Sequence, residues 1–114
     1  MRRLVEEKFE RLLSQIVSDV RGEKETEVLL SDLLTGAERT TIIKRLGTAI
    51  CLTNGKSYRE IKRDFGVTSA MIAKVQESLD TPGMKLVIEK VQIDQWAGSW
   101  AKKLAGTFEK LLGK

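Results

Sequence analysis

The stretch that most constrains what this chain can fold into runs from Ser57 to Leu79, SYREIKRDFGVTSAMIAKVQESL. Ser57 and Glu60 stand at capping-box spacing, which lets the Ser hydroxyl and the Glu carboxylate each satisfy an orphan amide. A helix of about eight residues is predicted from Tyr58, with Ile61 and Phe65 on one face at i and i+4. Gly66 falls where the chain must leave that helix, and a residue without Cβ enters a left-handed turn at least cost. Val67 is expected to tuck inward, and Thr68 or Ser69 to N-cap a second helix. That helix puts Ile72 and Val75 on one face, continued by Leu79, and sets Ser69, Ala70, Ala73 and Lys74 on others. A short helix, a turn with glycine and a second helix read as a helix-turn-helix over residues 57–79. An ordinary helical hairpin that merely closes a core fits the same residues. The register, the caps and the glycine together favour DNA binding.

The register Ile61, Phe65, Val67, Ile72 and Val75 around Gly66 resembles the DNA-binding helix-turn-helix position by position. One slot departs from it: the fifth residue of the first helix is usually small, and here it is Lys62. The Trp repressor family also carries lysine there. The run Leu33–Arg39 (LLTGAER), with Arg45, Leu46, Gly55 and Ser57, is similar to the same family and its small relatives. The resemblance spans residues 29–79 and leaves the tail uncovered. It implies an all-α fold in which N-terminal helices of two chains build one shared core, an intertwined two-fold dimer. A compact monomeric bundle is the alternative that the residues alone leave open.

At 114 residues, with 41% hydrophobic and 32% charged side chains, the chain fits one core-forming unit and is neither disordered nor membrane-spanning. No apolar run approaches bilayer length and no signal-peptide pattern is seen, so a soluble, cytoplasmic protein is expected. Histidine is absent, which removes the commonest general base and metal ligand. The lone Cys51 sits in an apolar helical run and reads as a buried structural thiol. Charge is unevenly placed. Residues 1–35 carry a net −2, whereas residues 36–80 and 81–114 each carry +3. A basic centre and tail suit a polyanion held away from an acidic arm, although solvated helices show similar imbalances.

Along the chain, residues 2–21 read as one amphipathic helix with Val5, Phe9, Leu12, Leu13, Ile16 and Val20 at helical spacing. Gly22 and the charges to Glu25 are expected to break it. Thr26 would then cap a helix from Glu27 to Leu33. Thr35 and Glu38 form another capping-box spacing and start a helix through Thr53, burying Ile42, Ile43, Leu46, Ala49, Ile50 and Leu52. Asn54-Gly55 ends it. The result is an all-α domain over residues 1–80, with a C-terminal extension over 81–114.

Thr81-Pro82-Gly83 marks the break between the two. Leu86, Val87, Ile88, Val91 and Ile93 are ambiguous between a short helix and a strand. From Ile93 the spacing is helical: Ile93, Trp96, Ala97, Trp100, Leu104, Phe108 and Leu111 form an amphipathic stripe. Three readings stand for this tail: packing on its own domain or dimer mate, docking another protein, and lying on a membrane surface. The first is the simplest and the last is the least expected.

In a helix-turn-helix the second helix enters the major groove with its N-terminal residues towards base edges. Ser69, Ala70 and Ala73 would face the bases of double-stranded DNA, and Arg59, Lys62 and Lys74 would meet phosphate. Thr68 and the free amides beside it suit a phosphate oxygen. The base-facing set lacks the Arg, Asn or Gln that read bases bidentately. Readout through water and DNA shape is therefore expected, an expectation borrowed from the family as well as inferred. The resemblance also places Thr35, Arg45, Lys74 and Ser78 at positions of the family's corepressor pocket. Lys74 replaces an arginine there, and Val75 stands where the tryptophan-binding protein has glycine against the indole. A branched side chain would occupy ligand space, so tryptophan is not the expected ligand.

The resulting expectation is a dimeric, sequence-dependent DNA-binding regulator, a repressor by analogy. The alternative is an interaction or architectural module that keeps the helix-turn-helix shape and docks a protein partner through its C-terminal helix. An enzyme is not expected. No phosphate-cradling glycine loop, cofactor motif or metal-spaced cluster appears, and Glu6, Glu7 and Asp19 sit on polar helical faces.

Overall fold

The computed structural model describes residues 1–96, and side-chain surroundings through residue 92. Among these residues there are six helices and no strand: α1 (Arg3–Asp19), α2 (Gly22–Leu33), α3 (Gly36–Thr53), α4 (Tyr58–Phe65), α5 (Ser69–Ser78) and α6 (Pro82–Trp96). The all-α expectation holds. The chain divides into two compact units after Ile42, within α3. No helix of the described residues is long and apolar enough to cross a membrane.

In the first unit α1 carries the expected stripe but ends two residues early. Val20 and Arg21 are extended, leaving Val20 outside the helix. Asp19 at the last helical position opposes the negative end of the helix dipole, which helps stop the helix there. The start of α2 corrects the sequence reading. The helix begins at Gly22, where φ is +75°, and not at Glu27. Glu23 and Glu25 favour the positive end of the new helix, and the Arg21 amide donates to Glu25 Oε1 at 3.3 Å. Thr26 is not a cap: it lies inside the helix, and its hydroxyl donates to the Gly22 carbonyl at 2.8 Å. The cap of α3 forms as read. The Glu38 amide donates to Thr35 Oγ1 at 3.1 Å, and the Thr35 amide to Glu38 Oε1 at 2.9 Å.

The apolar face of α3 is the larger correction. Of the six residues expected to be buried, Ala49 alone is fully so, and Ile50 and Leu52 are half-buried. Ile42, Ile43 and Leu46 remain 47%, 54% and 40% exposed. Neither α1 nor α2 has a buried residue. Periodicity identified the apolar faces correctly, but a single chain does not cover them.

The second unit holds the core. Ala49, Ile61, Val67, Ile72 and Val75 are buried, with Cys51, Leu52, Tyr58, Phe65 and Met71 packed against the Ile61–Val67–Ile72 cluster. Gly55, at φ +77°, closes α3 in a Schellman turn: the Lys56 amide reaches the Cys51 carbonyl and the Gly55 amide that of Leu52. Gly47 on α3 lies directly against the Phe65 ring of α4, so a side chain there would overlap it. The ambiguous run after Pro82 is helical. Pro82 takes the first helical position, where its missing N–H costs nothing. The stripe read from Ala97 onwards lies outside the described residues.

Candidate nucleic-acid interface

The two helices of the candidate interface are set by local chemistry. Ser57 caps α4, its hydroxyl accepting from the Glu60 amide at 3.2 Å. The reciprocal half of that box is not made, because the Glu60 carboxylate turns to Lys56, with Oε2 3.8 Å from Nζ. Gly66 adopts the left-handed conformation (φ 63°, ψ 37°) and its amide closes on the Lys62 carbonyl. Thr68, not Ser69, caps α5, accepting from the Met71 amide at 3.1 Å. Ile61 and Ile72 are fully buried between the helices, as the register required. A hydrogen bond that the sequence did not reveal joins them as well: the Tyr58 hydroxyl donates to Gln76 Oε1 at 2.5 Å.

This packing turns the core residues inward and leaves Arg59, Lys62, Thr68, Ser69, Ala70, Ala73 and Lys74 exposed. Among the described residues, Arg59, Lys62 and Lys74 make no ion pair, whereas Lys56 and Arg63 pair with Glu60 and Asp64. The former three therefore have no carboxylate among the described residues to compete with an external anion. The Ser69 and Ala70 amides at the start of α5 have no partner among the described residues, and the helix dipole favours an anion there. Ser69, Ala70 and Ala73 present small side chains, so nothing on this face blocks close approach to a base edge.

Beside α5 lies a cavity of about 310 Å³ lined by Arg45, Met71, Lys74, Val75, Ser78 and Met84. It brings together three of the four residues named for an effector pocket. Thr35 is not among its lining residues, and its hydroxyl and amide both serve the α3 cap. Val75 is 4% exposed and belongs to the core as well as to the cavity wall. The Ser78 hydroxyl is already spent on the Val75 carbonyl at 2.7 Å. Met71 and Met84 were missed. Met71 was findable, since residues 71, 74, 75 and 78 follow the i, i+3, i+4, i+7 spacing of one helix face.

Two groups have shifted acidity. The Thr35 backbone amide, helped by the Thr35 side chain, holds the Glu38 carboxyl below its ordinary value. Burial pushes the Cys51 thiol up, Asp64 adds to the effect, and Lys56 opposes it. Cys51 is half-buried, not fully buried as read, and it is no activated nucleophile. No cluster of metal-ligating side chains occurs among the described residues.

A capped pair of helices around a left-handed glycine, with an exposed face of small side chains beside cations that make no ion pair among the described residues, forms a helix-turn-helix. A family model described as Trp repressor protein matches residues 7–92. The chain belongs to the Trp repressor family, whose members are helix-turn-helix DNA-binding regulators and not enzymes. No curated protein matches the chain, and no solved structure does.

Proposed function

We propose that this chain is a sequence-dependent DNA-binding transcriptional regulator, a repressor, that inserts residues 68–79 into the major groove as a two-fold dimer. The observation that carries the reading is the exposed N-terminal face of α5. Ser69, Ala70 and Ala73 are bordered by Thr68, by two amides and three cations (Arg59, Lys62 and Lys74) that have no partner among the described residues. Phosphate contacts supply most of the affinity, and water and DNA shape supply the discrimination.

The uncovered apolar faces support the dimer. Leu4, Phe9, Leu12, Leu13 and Ile16 of α1, with Ile42, Ile43 and Leu46 of α3, stay 40% or more exposed in the single chain. Exposure on that scale marks an interaction surface. A symmetric partner covers identical faces with identical faces. The DNA-binding domain spans residues 1–80 in this reading, and 81–114 form an extension. The cavity beside α5 is not a tryptophan site, because Val75 occupies its wall, and calorimetry showing micromolar tryptophan binding would refute this.

Selection from a random duplex pool at about physiological salt tests the function. Enrichment of a two-fold-symmetric sequence with half-sites about one helical turn apart is the expected result. Retention of DNA without an enriched sequence would replace the regulator with an architectural module. No retention at all would point to a protein-interaction module, with the tail around Trp96 and Trp100 as its candidate docking segment.

A further inference from the structure

Tyr58 and Gln76 are used neither by the DNA-facing set nor by the cavity. Tyr58 is the first residue of α4 and packs half-buried against the Ile61–Val67–Ile72 cluster. Its hydroxyl donates to Gln76 Oε1, across eighteen residues of sequence, and among the described residues this is the one side-chain hydrogen bond between α4 and α5. The rest of the joint is apolar packing around Ile61 and Ile72. Apolar packing holds two helices together but is non-directional, so it leaves α5 some freedom to roll on its seat. A hydrogen bond is directional and weakens steeply off line. Gln76 lies one turn beyond Ile72, where a fixed point removes that freedom.

We propose that Tyr58 and Gln76 form a latch that sets the roll of α5 and poises the base-facing residues without a small-molecule effector. The inference rests on the DNA-binding reading above. Val75 adds to it from the cavity flank. It is buried in the core while lining the cavity, so that flank of α5 is braced by the chain itself. The two cations of the cavity, Arg45 and Lys74, then need no ligand to shape the helix. Both latch residues are positioning residues. Base contacts by the short side chains of Ser69, Ala70 and Ala73 have little reach, so a small roll removes them. Long Arg59, Lys62 and Lys74 side chains follow a phosphate over the same displacement. The latch therefore acts on discrimination more than on affinity for DNA in general.

Tyr58→Phe, Gln76→Leu and the double variant test this in the full chain, with Tyr58→Phe keeping the ring that packs on the core. The first readout is amide hydrogen exchange of residues 69–78 without DNA. Each single variant is expected to speed exchange by about two- to tenfold, the range of one net hydrogen bond. The α3 amides should be unchanged, and the double variant no worse than either single one. Gln76→Glu keeps an acceptor and should restore protection. The second readout compares the selected duplex with a scrambled one at the same salt. Affinity for the selected duplex should fall by a similar factor, while affinity for the scrambled duplex and its salt dependence stay put. Unchanged exchange in Tyr58→Phe, additive single effects, or equal loss on both duplexes would overturn the latch. A tenfold gain in wild-type affinity on adding tryptophan would overturn the effector-independent setting. If the wild type bound no DNA, the regulator reading would fall, and the exchange readout would still decide whether the latch exists.

Discussion

Gly47→Ala is the substitution whose outcome the structure sets most sharply. A Cβ built on Gly47 lies 2.5 Å from Phe65 Cζ and 3.1 Å from Cδ1, and closer still to the ring carbon between them. Carbon atoms in ordinary contact sit at about 3.5–4.0 Å. Two effects then oppose one another. Alanine in a helix interior is favoured over glycine by about 1 kcal/mol. Overpacking costs about 1–3 kcal/mol when the neighbour must move. Phe65 does not swing away freely, because its ring packs against the Ile61–Val67–Ile72 cluster. Uncovering about 40–60 Å² of that apolar surface costs roughly 1–1.5 kcal/mol, on top of the ring's own strain. The balance is a net destabilisation of about 1 kcal/mol, a fall in Tm of about 4 °C or more.

Thermal and urea unfolding followed by circular dichroism would measure it, at one fixed protein concentration because association shifts apparent stability. The decisive form is a double-mutant cycle with Phe65→Leu, which removes the ring atoms nearest the new methyl. On that background Gly47→Ala should become stabilising, by up to about 1 kcal/mol, since the helix preference remains and the overlap is gone. A stabilising Gly47→Ala in the wild-type background, or the same effect in both backgrounds, would refute the packing argument.

Four further outcomes follow from the same structure. The lowered Glu38 pKa means that the α3 cap stabilises the fold above the ordinary carboxyl value of 4.5, and that this is lost as pH falls through the folded value; Glu38→Gln should flatten that part of a melting-temperature profile between about pH 5 and 3. The raised Cys51 value keeps the thiol protonated at neutral pH, so a thiol reagent should label the folded protein far more slowly than the urea-unfolded chain. Thr48 is fully buried and its hydroxyl has no partner among the described residues, so Thr48→Val should stabilise by about 1 kcal/mol in the same unfolding assay. Arg59→Ala and Lys62→Ala should each weaken DNA binding on all sequences and lower the log–log salt slope by about 0.9, whereas Ala73→Glu should abolish binding; a slope unchanged in both cation variants would move the interface elsewhere.

The helix-turn-helix was legible because its caps, its turn and its apolar spacing are local. Ser57, Gly66 and Thr68 act on amides and dihedral angles within three residues of themselves, and Ile61, Phe65, Ile72 and Val75 follow helical spacing. The misread start of α2 was also local, but it required choosing between two roles for Gly22. Glycine breaks a helix interior and equally opens one, and the Glu25 reach-back to Arg21 decided the matter. Gly47 against Phe65 and Tyr58 against Gln76 lay beyond sequence reasoning, since both join residues eighteen apart on different helices.

The apolar residues of α1 and α3 failed in a more informative way. Their spacing predicted faces that must be covered, and the faces exist, yet one chain leaves Phe9 57% and Ile43 54% exposed. The core of α4 and α5, by contrast, closes within its own unit, with Ile61 and Ile72 fully buried. The two halves of the molecule therefore have different needs. The α4–α5 core folds on contacts the single chain supplies, whereas the long helices leave apolar faces that a second chain would cover under the proposed dimer. Under the proposed dimer, a charge placed at Phe9 would dissociate the chains and make stability independent of concentration, yet leave the α4–α5 core closed. A charge at Ile72 would do the reverse, opening the reading head first. The separation of these two failures, read by sedimentation and by exchange of residues 69–78, would show that the exposed faces are the dimer core and not a flaw in a monomer.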